Sequence, residues 1–292
     1  MNWPLRWDLL TRYRLIEIIA KWEGRLTTKH LCNSFGIGRQ QASKDINAYL
    51  NDIAPGNLQY DKYLKGYVPT PQFVPKLTTG TADEYLHVLS RTKDIAHTFE
   101  GLDLGFAHTE MLHVPMRSID PIILRALVQA SREHRRVDLR YISLGTAIEE
   151  DRIIVPHTLV CTPLRWHVRA YCEKHGDYRD FVLSRFRGVP EIFGDSKQTA
   201  AEDQLWNTAV SLRIKPDSRL DLAQQELIAR DFDMQDGYLE VKTRAPLVEY
   251  MLRAFNIDPR KQEMLPEAQQ IVVENFRDIE KYLFKFRNLQ LP

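Results

Sequence analysis

Between Arg165 and Phe186 the chain reads RWHVRAYCEKHGDYRDFVLSRF, where basic side chains alternate with apolar ones. At the two-residue spacing of a strand, Arg165, His167, Arg169 and Tyr171 share one face, and Trp166, Val168 and Ala170 share the other. The same rule sets Arg179, Phe181, Leu183 and Arg185 on one face of the next segment. Arginine beside Phe and Leu is costly to bury unless negative charge meets it. The chemistry on offer is anion binding, because a guanidinium fork holds a phosphate or carboxylate by two parallel hydrogen bonds. Two sources of negative charge remain open. One is a bound ligand; the other is the local acids Glu149, Glu150, Asp151, Asp177 and Asp180, which cluster in turns while the arginines lie mid-strand.

A second constellation lies in LTTKHLCNSFGIGRQQASKDINAYL, Leu26 to Leu50. Its short helix, glycine turn and second helix have the proportions of a helix-turn-helix. With Ala42 and Ile46 inward, Gln40, Lys44, Asn47 and Asn51 fall on the exposed face, with Gln41 at its edge. Gln and Asn pair with adenine edges, and Lys with guanine or phosphate. Arg39 and Ser43 lie toward the flanks, where phosphate contacts are made. Lys62 and Lys65 sit at the tip of a following hairpin, as a wing would place them.

The elements that must position these residues follow from periodicity. Leu9, Tyr13, Ile16, Ile19 and Ala20 form one apolar helical stripe. Thr27-Thr28 offers an N-cap for the next helix, and Gly36 stops it. Another helix starts at Thr81, carrying Tyr85, Leu86 and Leu89, and the Pro115 region marks a break. Pro121 to Arg135 reads as a helix with Ile122, Leu124, Leu127 and Val128 as candidate core. Strand patterns then cover 137–143, 152–156, 164–172 and 179–186, the last two joined by a turn at Gly176-Asp177. A helix followed by short antiparallel strands predicts a small barrel. Beyond Val210 a β-α-β-α order predicts a small α+β domain, with Pro266 to Phe286 as a long terminal helix. Its stripe of Ile271, Val272, Phe276, Ile279, Leu283 and Phe286 suits either a dimer contact or simple core packing.

The formal net charge of +1 over 292 residues conceals alternating blocks. Residues 1–70 hold ten Lys and Arg against six Asp and Glu, and residues 121–200 hold thirteen against ten. The two intervening and terminal blocks are acidic, so the basic excess falls on the two constellations above. No apolar run is long enough to span a bilayer, and the N-terminal stretch lacks the uninterrupted core of a signal peptide. Three scattered cysteines make no disulfide framework, and the expectation is a cytoplasmic protein.

The helix at 122–131 with VDLRYIS, RIIVPHTLV, LRWHVRAYC and YRDFVLSRF resembles a WYL domain in element order and spacing, with Trp166-His167-Val168 standing where Trp-Tyr-Leu names the family. Behind a winged helix-turn-helix and ahead of a small α+β domain, it resembles a WYL-domain transcriptional regulator of the BrxR/CapW type, repressors found beside phage-defence operons. The resemblance implies a winged helix-turn-helix over 1–75, a helical linker over 76–120, an Sm-like or SH3-like β-barrel over 121–196 and a C-terminal dimerisation domain over 197–292. It implies an anionic nucleotide or oligonucleotide effector held by Tyr141, Ser143, His157, Arg169, Arg179, Phe181 and Arg185. The residue types agree: arginines for phosphate, hydroxyls and imidazole for hydrogen bonds, and a Phe face for a base. The expected partners are then a double-stranded operator with an inverted repeat, the effector, and a second copy of the chain, since one winged helix buries little surface.

His157, Cys161, Cys172 and His175 spell H-x3-C-x10-C-x2-H, but on strands these side chains need not converge, so no metal is expected. No phosphate-binding glycine loop, nucleophile elbow or carboxylate pair is present, and no cofactor or catalytic residue is assigned. A nuclease or nucleotide hydrolase built on His157 and the arginines is the competing reading, and it lacks a carboxylate cluster for metal.

Overall fold

The computed structural model describes residues 6–89, 115, 117–261 and 263–284. The chain divides into two compact units, Met1–His113 and Val114–Pro292.

In the first unit α1 (Trp7–Ile18) runs on through a π-turn to Glu23, and α2 (Thr28–Phe35) and α3 (Arg39–Ala48) pack beside it. His30 Nδ1 accepts from the Thr27 N–H at 3.2 Å and so closes the start of α2. Gly36 ends α2 at φ 62°, a left-handed conformation that costs glycine little, and Gly38 caps α3 without a side chain. Tyr13, Ile16, Ile19, Ala20, Leu31, Ala42, Ile46 and Tyr49 form the core that the periodicity predicts. The hairpin β1 (Leu58–Asp61) and β2 (Gly66–Pro69) follows, and α4 covers 82–89, with Leu89 buried and Leu86 exposed.

A buried carboxylate fastens the chain beyond the hairpin. Glu17 on α1 accepts from the backbone N–H groups of Lys76, Leu77 and Thr78 and from the Tyr49 hydroxyl, at 2.8–3.2 Å. Asn57 bridges the same Tyr49 hydroxyl to the backbone of Val74. Buried polar groups met this fully are stabilising, and they hold 74–78 against the helical core.

The second unit opens with α5 (Pro121–Glu133), capped by the Asp120 carboxylate. Ile123, Ala126, Leu127 and Ala130 are its buried face, whereas Ile122, expected inside, is 62% exposed. Of the expected core residues Leu127 is buried and Leu124 packs against the core, and Ile123 takes the place expected of Ile122.

A five-stranded antiparallel sheet follows, in the order β6-β5-β4-β3-β7. Its strands are β3 (Arg135–Ile142), β4 (Glu149–Thr162), β5 (Arg165–Cys172), β6 (Asp177–Val182) and β7 (Phe186–Asp195). β4 pairs with β3 through its first half and with β5 through its second, and the bulge at His157 interrupts the ladder between Pro156 and Thr158. The sheet curls over α5 but stays open; no ladder joins β6 to β7 among the described residues, so the expected barrel closure is not seen. The expected strand over 179–186 also breaks. Leu183–Arg185 form a 3-10 turn, and Phe186 starts β7, which the sequence reading did not anticipate.

The last elements are β8 (Ala209–Pro216), α6 (Leu222–Asp231), β9 (Leu239–Arg244), α7 (Val248–Ala254), α8 (Pro266–Gln269), β10 (Ile271–Val273) and α9 (Phe276–Ile279). The long terminal helix is not formed. Gln270 takes a φ of 56°, and the β-branched run Ile271–Val273 pairs with β8 to complete a three-stranded sheet. Ile271, Ile279 and Leu283 are buried in the domain's own core, with Phe276 packed against it; Phe286 lies outside the described residues. No helix among the described residues is long and apolar enough to cross a membrane.

Candidate nucleic-acid interface and anion site

On α3, Arg39, Gln40, Lys44 and Asn47 are exposed, Ser43 is half-buried, and none has a side-chain partner among the described residues. Gln41 differs. Its amide donates to Asp45 at 2.8 Å, and Asp45, 3% exposed, lies 2.8 Å from Arg12 Nε of α1, an ion pair too poorly aligned to count as a hydrogen bond. Gln41 therefore belongs to the bracket that sets α3 on α1, and the side chains open to a duplex are Gln40, Lys44 and Asn47. The sequence reading missed Arg12 and Asp45, since a buried Asp on a polar helix looks like surface. At the hairpin tip Lys62 and Lys65 are exposed, as is Tyr63 between them at 97%.

The arginines of the sheet fall into two groups, and register explains why. Val168 pairs with Phe181 and Ala170 with Arg179, so Arg179 is on the face toward the core, at its exposed margin. Arg169 pairs with Asp180 on the opposite face, along with Arg165, His167 and Tyr171. Arg169 and Arg179 therefore do not close on one ligand, and the arginines of the expected effector pocket do not act as a unit.

Arg169 instead meets protein carboxylates. Its Nε and Nη2 donate to Asp203 at 2.7 and 3.2 Å, and Nη1 donates to Asp180 at 3.3 Å, all away from solvent. The bulge in β4 turns His157 into the same network, with Nε2 at 3.3 Å from Asp203 and Nδ1 at 2.8 Å from the Thr158 hydroxyl. Burial pushes Asp203 up, but hydrogen bonds from Arg169 and the Trp206 N–H outweigh it and hold the carboxyl below its ordinary value. Burial also lowers His157, against the opposing pull of Asp203. Asp203 lies 34 residues beyond Arg169 in a turn with no periodic signal, which hid it from the sequence reading.

The remaining expected pocket residues are mostly structural. Tyr141 and Phe181 are buried in the aromatic core with Phe186, and the Tyr141 hydroxyl accepts from the Val182 N–H. Ser143 bonds Thr146 within the β3–β4 turn. Cys172 Sγ touches His175 Nδ1 at 3.1 Å, Cys161 is exposed, and no group of three or more His, Cys, Asp or Glu suited to a metal occurs among the described residues.

The other end of the polar face has no such compensation. Arg165 precedes His167 by two residues on β5, and Arg185 follows in the 3-10 turn. No carboxylate pairs with Arg117, Arg165 or Arg185 among the described residues. His167 is 2% exposed, and its Nδ1 is buried with no hydrogen-bond partner. Burial first, then the charges of Arg165, Arg185 and Arg117, push its imidazole down to about 4. The charges of these three guanidinium groups bear on a buried imidazole whose Nδ1 has no partner, which marks this end of the face as the candidate anion seat. Only Arg185 of the expected pocket belongs to it.

Family comparisons agree with this layout. A model of the BrxR transcriptional regulator winged helix-turn-helix domain matches residues 8–91, the WYL domain matches 122–190, and the BrxR transcriptional regulator C-terminal dimerization domain matches 209–279. The chain is 33% identical over 276 residues to the DNA-binding transcriptional repressor CapW of Escherichia coli (strain KTE188), covering 94% of this chain and 91% of that protein. The chain belongs to the BrxR/CapW family. CapW of Pseudomonas aeruginosa is 32% identical over 96% of this chain and 93% of its own length. CapW of Stenotrophomonas maltophilia is 28% identical over 97% and 95%. In this chain the polar face of β5 is split between an internal ion network and the candidate seat.

His167 gives the seat a pH signature. Its native value of about 4 lies below the roughly 6.5 of an unfolded chain, so between these values the unfolded state holds the extra proton. Stability present above about pH 6.5 is therefore lost as the pH falls toward 4. Urea midpoints at pH 7.5 and 5 should show His167→Gln losing about 2 kcal/mol less than wild type on acidification. Equal losses would mean that His167 is solvated.

Proposed function

We propose that this chain is a homodimeric, sequence-specific DNA-binding repressor acting on the operon that contains its own gene, with its operator occupancy set by an anionic nucleotide or nucleic-acid ligand. Gln40, Lys44 and Asn47 read the major groove, Arg39 and Ser43 contact phosphates, and Lys62 and Lys65 lie along the flanking backbone. The relatives named DNA-binding transcriptional repressors support this, as does the match to a dimerization domain. The observation that carries the ligand half is the unpaired charge of Arg117, Arg165 and Arg185 around His167. Such a cluster costs stability in the absence of an anion, which is how a binding site differs from a structural ion pair. The ligand acts by preferring one of two dimer states, since equal affinity for both would shift nothing.

Gel-shift titration on the duplex upstream of the gene tests the DNA half. Affinity should fall steeply with salt, and Asn47→Ala should lose about 1–3 kcal/mol of discrimination at one base position. Lys44→Ala should weaken all sequences alike if it contacts phosphate, and relax one position if it contacts guanine. A folded protein with no preference for that duplex over random DNA would sink the reading.

A further inference from the structure

The anion seat is not closed by the WYL domain alone. α7, from the domain that follows, lays Tyr250 on the imidazole of His167, with ring centroids 4.9 Å apart. The Tyr250 hydroxyl donates to Asp180 at 3.3 Å, so one side chain touches both the seat and the Arg169 network. Arg253 follows on the same helix, with its guanidinium 5.6 Å from the centroid of Phe284, whose ring packs on Tyr250. Glu249 holds Arg253 at 2.9 Å but is shared with Arg260 at 2.6 Å, so Arg253 keeps donors to spare. The charge of Arg253 bears on Arg165, along with those of Arg117 and Arg185.

We propose that the ligand seat spans both domains: Arg165, Arg185 and His167 hold one side of a ligand carrying two or more phosphate groups, Tyr250 and Arg253 of α7 hold the other, and ligand binding clamps the C-terminal domain onto the WYL sheet. This rests on the anion-seat reading above. Three unpaired guanidinium groups call for more than one negative charge, and arginine pairs phosphate by two parallel bonds. Neutral His167 supplies a hydrogen bond through Nδ1, and the wall of Tyr250 and Phe284 keeps water from weakening the contacts. Occupancy at the seat thereby reaches the domain that matches the dimerization family through a single helix.

The test uses the full chain with two probes, inorganic tripolyphosphate and a 5′-phosphorylated tetradeoxynucleotide, followed by calorimetry at low salt. Wild type is expected to bind at least one. Preference for the oligonucleotide marks a nucleic-acid fragment as the source of the phosphates, and equal binding marks phosphate alone. Arg165→Ala and Arg253→Ala should each weaken binding at least tenfold, and Arg253→Lys should recover part of the loss. Amide exchange across 248–254 should slow when the probe is added to wild type. Wild-type affinity in Arg253→Ala, with exchange in α7 unmoved by the probe, would overturn the shared seat and leave the WYL anion site standing. No binding of either probe by wild type would overturn both.

Discussion

Replacing both Arg165 and Arg185 by Ala is expected to blind the protein to its ligand while leaving the operator complex intact. Each arginine contributes a charge-assisted hydrogen bond to phosphate, so losing both should weaken ligand binding by about 3–6 kcal/mol, or roughly 10² to 10⁴-fold. The residues proposed to read DNA lie in the other compact unit, and substitutions that share no partners with a site usually leave it unchanged to within about 0.5 kcal/mol. Operator affinity should therefore stay within about twofold of wild type, while release by a 5′-phosphorylated oligonucleotide disappears. Stability gives a second readout. Removing two of three mutually repelling charges should raise the unfolding midpoint of the ligand-free protein slightly, by roughly 0.5–1 kcal/mol, as substitutions at functional sites often do. A variant that unfolds, or loses the operator along with the ligand, would make these arginines structural or DNA-contacting. A variant still released by the ligand would move the seat elsewhere, with Arg179 the next candidate.

Asp203→Ala should have the opposite character, a large loss of stability. Asp203 receives two hydrogen bonds from Arg169, one from the Trp206 N–H and a contact from His157. Without it Arg169, 4% exposed, keeps only Asp180 at 3.3 Å. Breaking a buried pair from one side costs about 3–5 kcal/mol, because the remaining charge is left without compensation. In a domain of this size that lowers Tm by roughly 6–20 °C. Combining Asp203→Ala with Arg169→Met should recover part of the loss, since the guanidinium no longer needs a partner while Asp180 keeps the Tyr250 hydroxyl. The contribution of Asp203 has a fixed sign with pH. Its carboxyl is held below the ordinary value, so its stabilisation is complete above about pH 4 and is lost on further acidification. A thermal midpoint within a degree or two of wild type would show that Arg169 is solvated and available to a ligand after all.

These two variants divide the arginines that the sequence presents as one group. Alternation along 165–171 placed Arg165, His167 and Arg169 on one face correctly, and it raised the right electrostatic question. It could not answer that question, because the answer depends on what covers the face. At Arg169 the cover is Asp203, far along the chain; at His167 it is Tyr250 of α7. The anticipated face of Arg179 and Arg185 broke because the strand ends at Val182 and a 3-10 turn re-aims Arg185. Local signals served better where local physics decides. Gly36, the helical stripe and the polar run from Gln40 to Asn47 sufficed for the helix-turn-helix, since glycine turns and amphipathic periods are short-range. The terminal helix failed for the converse reason: Ile271–Val273 has a free strand edge on β8 to pair with, and a helical pattern cannot report that edge.

The family assignment rests on three matched domains and relatives at 32–33% identity, and the proposed ligand seat is set apart from the ion network that holds the fold. The central claim is a two-fold dimer that reads an operator near its own gene. Hydroxyl-radical footprinting of the full-length protein on that upstream duplex tests it most directly. The account predicts two protected half-sites related by an inverted repeat, with centres about 10–10.5 base pairs or a multiple apart, both needing more protein with Asn47→Ala. A single protected half-site, or uniform protection without boundaries, would contradict it.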